Sequence, residues 1–273
     1  MVKQKNEVQL AENEKTSLSI IDKDVENLLT DLNENERDLS SDYVLIPQLM
    51  LVQKLSDVTK KTNSKFIEGA TEGKFVESIS NKVFEEVHFV PCLFEELVIE
   101  WKPKESGGGR VAQHTKDSEI YKSILKQGYT NNYGIPTDPT TGNSFIETVQ
   151  LYGLIVNDGA IDPVVIYFKG SFIRTVKQLN MLTMKARINN KPCRYYSYVY
   201  NLRSKITSND KGEWAVWDVS YNNPVNLYSP DNYQEIVKAA MEYRKLLTDN
   251  KDFVRVDEEL EQNNNSEEQQ TVI

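Results

Sequence analysis

No stretch of eighteen consecutive apolar residues exists in the sequence, which excludes a membrane-crossing helix. The first ten residues, MVKQKNEVQL, lack the apolar core of a secretory signal. Cysteine is scarce: Cys92 and Cys193 stand alone and far apart. Reduced thiols in a soluble cytoplasmic protein are therefore expected, ahead of a Cys92–Cys193 disulfide. Histidine is equally scarce, at His88 and His114. A zinc site would need all four of these residues, whereas zinc ligands usually come as close pairs. Spacing alone leaves open whether Cys92 and Cys193 serve zinc.

Catalytic motifs are missing too. Gly107-Gly108-Gly109 lacks the Gly-Lys-Ser/Thr ending of a phosphate-binding loop. No Ser-His-Asp or Cys-His arrangement is visible. Glu85-Glu86 and the set Glu95, Glu96 and Glu100 read as the solvated sides of strands before they read as a metal-dependent nuclease. The expectation is a binding protein with no cofactor and no enzymatic activity. Internal repeats are absent.

The scarcity that matters most is of negative charge. From Pro163 to Asn209 there is no Asp or Glu, while nine bases occur: Lys169, Arg174, Lys177, Lys185, Arg187, Lys191, Arg194, Arg203 and Lys205. The whole chain carries −9. Residues 1–43 hold 5 basic against 11 acidic side chains and residues 249–273 hold 2 against 8, so each tail is −6 and residues 44–248 carry +3. An acidic chain with a locally basic core still has the field a polyanion recognises. The bland alternative is a solvated surface whose bases pair with acids elsewhere in the fold.

Three segments follow: an acidic flexible stretch at 1–43, a folded domain at 44–248, and an acidic disordered tail at 249–273. Within the first, Ile20, Ile21, Val25, Leu28, Leu29 and Leu32 recur at helical spacing and predict a short helix packing in cis or docking a partner. In the body, 44–55 reads as a strand or extended lead-in. Residues 83–101 read as two strands broken at Pro91, 102–118 as a flexible loop and 128–145 as a second long loop. Strands are expected at 147–156 and 163–168. Residues 171–188 suit a helix with Phe172, Val176, Leu179, Leu182 and Ala186 on one side and Arg174, Lys177 and Lys185 opposite. Residues 194–207 and 213–221 form a hairpin around Ser208-Asn209-Asp210-Lys211-Gly212. A final helix starts at Ser229-Pro230 and runs to Leu247. The class is mainly β, a partly open OB-like barrel with one internal and one C-terminal helix, with an open α+β sheet as the alternative.

The run Arg194-Tyr195-Tyr196-Ser197-Tyr198-Val199-Tyr200 lies inside the acid-free window. Read as a strand, it puts Arg194, Tyr196, Tyr198 and Tyr200 on one face, a platform on which nucleobases would stack. An inward-facing ladder would be core instead. Trp214 and Trp217 fall on opposite faces of the partner strand, which makes Trp214 a further stacking candidate. Arg110, beside the glycine run, could reach phosphate.

Three stretches carry a family resemblance. They are Glu100-Trp101-Lys102-Pro103 running into Gly107-Gly108-Gly109, then Pro163-Val164-Val165-Ile166 before the Ser171–Arg187 helix, and Tyr198–Leu202 with Gly212–Trp217 ahead of the acidic tail. Together they resemble phage single-stranded DNA-binding proteins of replication and recombination, broadly similar to the OB-fold proteins of T7-like phages. The resemblance implies an OB-like barrel, binding without strong sequence preference, dimerisation, and a tail that contacts replication or recombination proteins in the host cytoplasm. The ending Thr271-Val272-Ile273 departs from the aromatic-tipped tails of those proteins, and the acidic N-terminal stretch is unlike a minimal member. DNA and RNA both remain open as ligand. Two rivals stand beside this reading: a virion or assembly protein that uses tyrosine-rich strands as interfaces, and a recombination nuclease or annealing factor relying on Glu95 or Glu100.

Overall fold

The computed structural model describes residues 45–157, 159–188, 190–192, 194–210, 212–222 and 230–249. The expected helix around Ile20–Leu32, the acidic C-terminal tail, Cys193 and the Ser229 cap lie outside these residues. The described part is mainly β. Its centre is an antiparallel sheet containing β4 (Val87–Trp101), β5 (Arg110–His114), β6 (Ser144–Ile155), β7 (Asp162–Lys169), β10 (Val199–Asn209) and β11 (Gly212–Asn222). The order runs β11-β10-β4-β6-β7, with β5 pairing the far end of β4. A small sheet joins β1 (Leu49–Leu51), β2 (Phe75–Glu77) and β3 (Val83–Phe84), and β8 (Arg187–Ile188) pairs β9 (Lys191–Pro192). Three helices are present among the described residues: α1 (Glu119–Gln127), α2 (Ile173–Lys185) and α3 (Pro230–Asp249).

No pairing closes β11 onto β7 among the described strands, so the sheet is open, as in the α+β alternative. Period-two alternation gives it two buried faces. On the first, Phe89, Leu151, Ile155, Ile166, Phe168, Tyr200, Leu202 and Trp217 meet Phe172 just before α2 and Val176 and Leu179 of α2, with Leu49 and Phe75 of the small sheet. On the second, Val90, Cys92, Leu154 and Val199 meet Ile236 and Ala240 of α3, and Tyr152, Val165 and Tyr167 meet Leu247. Each large apolar side chain so buried contributes about 1.5–3 kcal/mol before the entropy of ordering it.

Several expectations change. Residues 83–101 are not two strands divided at Pro91. β4 continues through Pro91 as one fifteen-residue strand, with a bulge between Pro91 and Leu93. Proline has no N–H to give the ladder, and the bulge absorbs that loss. Opposite it stands Gly153, where a β-carbon would lie 2.2 Å from the Phe89 ring and 2.5 Å from the Val90 carbonyl oxygen. Only glycine lets β4 and β6 approach so closely.

Residues 102–118 are not an open loop either. The three glycines, at φ of 98°, 66° and 101°, turn the chain so that β5 folds back on β4. Helix α1 was not foreseen. Its signals are local: the Ser118 hydroxyl accepts the Tyr121 N–H, and Gly128 ends the helix at φ 72°. The loop expected over 128–145 ends at 143, because β6 already starts at Ser144; α2 and α3 form where expected, and β10 and β11 pair as a hairpin.

Candidate nucleic-acid interface

The nine bases of the acid-free window separate by the parity of the strands that carry them. Arg203 and Lys205 sit at odd positions of β10, on the sheet face opposite α2, whereas Tyr200 and Leu202 turn toward α2. Both cations are neutralised. Arg203 donates to both oxygens of Glu86, at 2.6 and 3.0 Å, which raises its pKa further. Lys205 meets Asp218 at 2.8 Å. For these two residues the bland reading holds: acids from the bend before β4 and from β11 cancel them. Lys169 is also on that second face. It is buried, with its ammonium 5.0 Å from the centre of the Trp101 ring and 5.8 Å from that of Tyr167. A buried ammonium over aromatic rings is not placed to track a nucleic-acid backbone.

The other six are different. Arg174, Lys177, Lys185, Arg187, Lys191 and Arg194 are all exposed, and none pairs with a carboxylate among the described residues. They lie on α2, on the β8–β9 hairpin that follows it, and at the start of the 195–197 turn. Arg174, Lys177 and Lys185 form a stripe on the outer side of α2, as the helical period requires. Arg187 donates to the Met184 and Ala186 carbonyls at 2.7 and 2.8 Å, capping the C-terminus of α2 where its dipole favours a cation. Neither α2 nor the hairpin contains an acid, so nothing within them offsets the positive field.

The tyrosine ladder has another role than the one its alternation suggested. Residues 195–197 form a 3₁₀ turn and β10 starts only at Val199, so Arg194, Tyr196, Tyr198 and Tyr200 do not share a strand face. Tyr198 and Tyr200 are core residues, with 6% and 0% exposure. Buried rings cannot stack on nucleobases. Their hydroxyls instead hold the basic elements to the sheet. The Tyr198 hydroxyl accepts the Arg187 N–H at 3.1 Å and donates to the Arg187 carbonyl. The Tyr200 hydroxyl lies 2.7 Å from the Thr183 hydroxyl on the last turn of α2. Tyr196 is half-buried against the α3 side of the sheet, its ring edge-on to Tyr195. Tyr195, which the ladder left out, donates to the Cys92 carbonyl freed by the bulge, and Arg244 reaches both.

The remaining candidates lie apart from this cluster. Trp217 is core, between Phe75 and Phe168, as opposite-face alternation required. Trp214 is half-buried near the hairpin turn, with its indole N–H enclosed. It sits five residues, roughly 17 Å of strand, from Val219, whose carbonyl accepts from Gln178 of α2. Arg110 is on β5 and bonds Gln113.

A shared zinc site is excluded for the two histidines. His88 is at the start of β4, while His114 pairs with Val98 ten residues along, roughly 30 Å away. Cys92 is a free thiol buried against α3, and burial pushes its pKa up to about 12. His114 lies 2.8 Å from one Glu100 oxygen, and Asn143 donates to the other at 2.6 Å, so Glu100 ties β5 to the loop before β6. No group of three His, Cys, Asp or Glu side chains among the described residues is placed to hold a metal.

Residues 18–251 match the family model described as Pam3 phage gp34-like protein. The chain belongs to this bacteriophage family. No curated protein and no solved structure matches it. The gp34-like match runs through both sheet faces, α2 and the β8–β9 hairpin, so the basic cluster lies within the family's own region. No helix among the described residues is long and apolar enough to cross a membrane.

Proposed function

We propose that this gp34-like chain binds single-stranded nucleic acid without strong sequence preference, with the cations of α2 and the β8–β9 hairpin as its phosphate contacts. The observation that carries the reading is the set of six exposed bases without a carboxylate partner among the described residues, carried on α2, the β8–β9 hairpin and the start of the 195–197 turn, while other bases of the same window are neutralised. Phosphate neutralisation releases condensed counterions and supplies affinity with no need to read bases. The reading needs a cationic face over a firm support. It does not depend on closure of the OB-like barrel. In the host cytoplasm such a protein would protect single strands, and its acidic tail would recruit replication or recombination proteins.

The test is fluorescence anisotropy with oligo-dT, oligo-U and a duplex of equal length across a salt series. Tight binding that weakens steeply with salt and favours the single strands supports the proposal, and the two oligomers decide between DNA and RNA. No binding at low salt, even after residues 250–273 are removed, refutes it and puts a virion-assembly role in front.

A further inference from the structure

With Tyr198 and Tyr200 in the core, the cationic face of α2 lacks the aromatic platform expected for single strands. What it presents instead is a pair of methionines. Met181 and Met184 are 52% and 72% exposed, and both lie on the outer stripe with Arg174, Lys177 and Lys185. Met181 is four residues from both Lys177 and Lys185, so it stands directly between two cations on the helix surface. From Arg174 to Lys185 the stripe is roughly 16 Å long, the span of a few nucleotides.

We infer that Met181 and Met184 are the base-contacting residues of this face and set its preference for single strands over duplex. The inference rests on the nucleic-acid reading above. A methionine thioether is polarisable, unbranched and adaptable, and it makes favourable contacts with any aromatic ring, which suits a surface that must accept every base. The occupant follows from charge and polarity together. Five cations without carboxylate partners among the described residues, on α2 and the hairpin, call for an anionic ligand, and two exposed apolar side chains among them call for one with accessible flat apolar groups. A single strand offers phosphates and unstacked bases side by side. A duplex shows the same phosphates with its base faces covered. Apolar side chains on a cationic stripe are wasted on duplex and useful on a strand.

The experiment compares the full chain with Met181→Ala/Met184→Ala and with Lys177→Gln/Lys185→Gln. Three probes of equal length are used: oligo-dT, an abasic deoxyribose-phosphate oligomer, and duplex. The methionine variant is expected to lose about three- to tenfold in affinity for oligo-dT per methionine removed, with abasic and duplex binding unchanged. The lysine variant is expected to weaken all three probes. Unchanged oligo-dT affinity in the methionine variant overturns the inference, and so does an equal loss on the abasic probe. A wild-type chain that binds none of the probes refutes the nucleic-acid reading itself. Preferential uptake by vesicles of anionic lipid, with no preference for oligo-dT over abasic oligomer, assigns the stripe to a membrane surface and overturns the inference as well. Both methionines are exposed, so truncation leaves the core intact, and coincident urea midpoints verify that.

Discussion

Removing charge from the α2 side of the sheet and from its opposite face should have unequal effects on binding. Consider Lys177→Gln/Lys185→Gln/Lys191→Gln against Arg203→Gln/Lys205→Gln. The first set deletes three exposed cations with no carboxylate partner among the described residues, so on the proposed reading each should remove one phosphate contact. For single strands every contact contributes about 0.7 to the slope of log affinity against log salt, so the triple variant should flatten that slope by about 2. Between 200 and 50 mM salt the wild type should then gain roughly twentyfold more affinity than the variant. The second set removes cations already neutralised by Glu86 and Asp218, on the face away from α2. Its slope should stay within experimental error of wild type. Its stability cost should be small, because both pairs are largely exposed and solvent screens them. Anisotropy with labelled oligo-dT at several salt concentrations reads both slopes. Equal flattening in the two variants would show that affinity comes from overall charge, and the argument from ion pairing and strand parity would be wrong.

Other consequences concern the support beneath this face. Tyr198→Phe removes two bonds to the Arg187 backbone and should cost about 1–3 kcal/mol in urea unfolding, with weaker oligo-dT binding because the hairpin loses its anchor; an unchanged midpoint would count against that role. Gly153→Ala forces a methyl group into the Phe89 ring and the Val90 carbonyl, and should destabilise by about 1–3 kcal/mol or more. A thermal scan within a degree of wild type would show that β4 and β6 separate more easily than their contact implies. Cys92 should resist alkylation at neutral pH until the chain unfolds, since burial holds the thiol up to about 12. The unfolded thiol ionises near its ordinary 9.0, so the stability tied to neutral Cys92 is complete below that pH and is lost as pH rises from 9 toward 12. Unfolding followed against pH should therefore show wild type declining faster than Cys92→Ala above pH 9, and parallel curves would refute the assignment.

Much of the framework was legible in the sequence because it depends on local period. The apolar stripe Phe172, Val176, Leu179, Leu182 and Ala186 can be read at 3.6 residues per turn; Val176 and Leu179 are buried within α2, Phe172 and Ala186 are buried at its two ends, and Leu182 is half-buried. The Asn209-to-Gly212 turn and the opposite placing of Trp214 and Trp217 follow from turn chemistry and period two. The acid-free window was a property of composition alone. α1 is harder to read because it is only nine residues long, and the marks that bound it are single residues, the Ser118 cap and Gly128. β4 appeared as two strands because a proline inside a run normally ends it, and only the bulge opposite Gly153 lets it continue.

The sequence by itself determined that bases are concentrated between Pro163 and Asn209, and on which side of its helix each α2 cation lies, because both depend on near neighbours in the chain. Only the tertiary structure decided which of those bases remain available. Glu86, in the bend before β4 and 117 residues away, cancels Arg203, and Asp218 of the paired strand β11 cancels Lys205. Tertiary packing also turned the tyrosines inward. Alternation along β10 states that Tyr200 differs in facing from Val199 but cannot say which face is covered. Here both faces are buried, one under α2 and one under α3, and the side toward α2 placed the Tyr200 hydroxyl against Thr183.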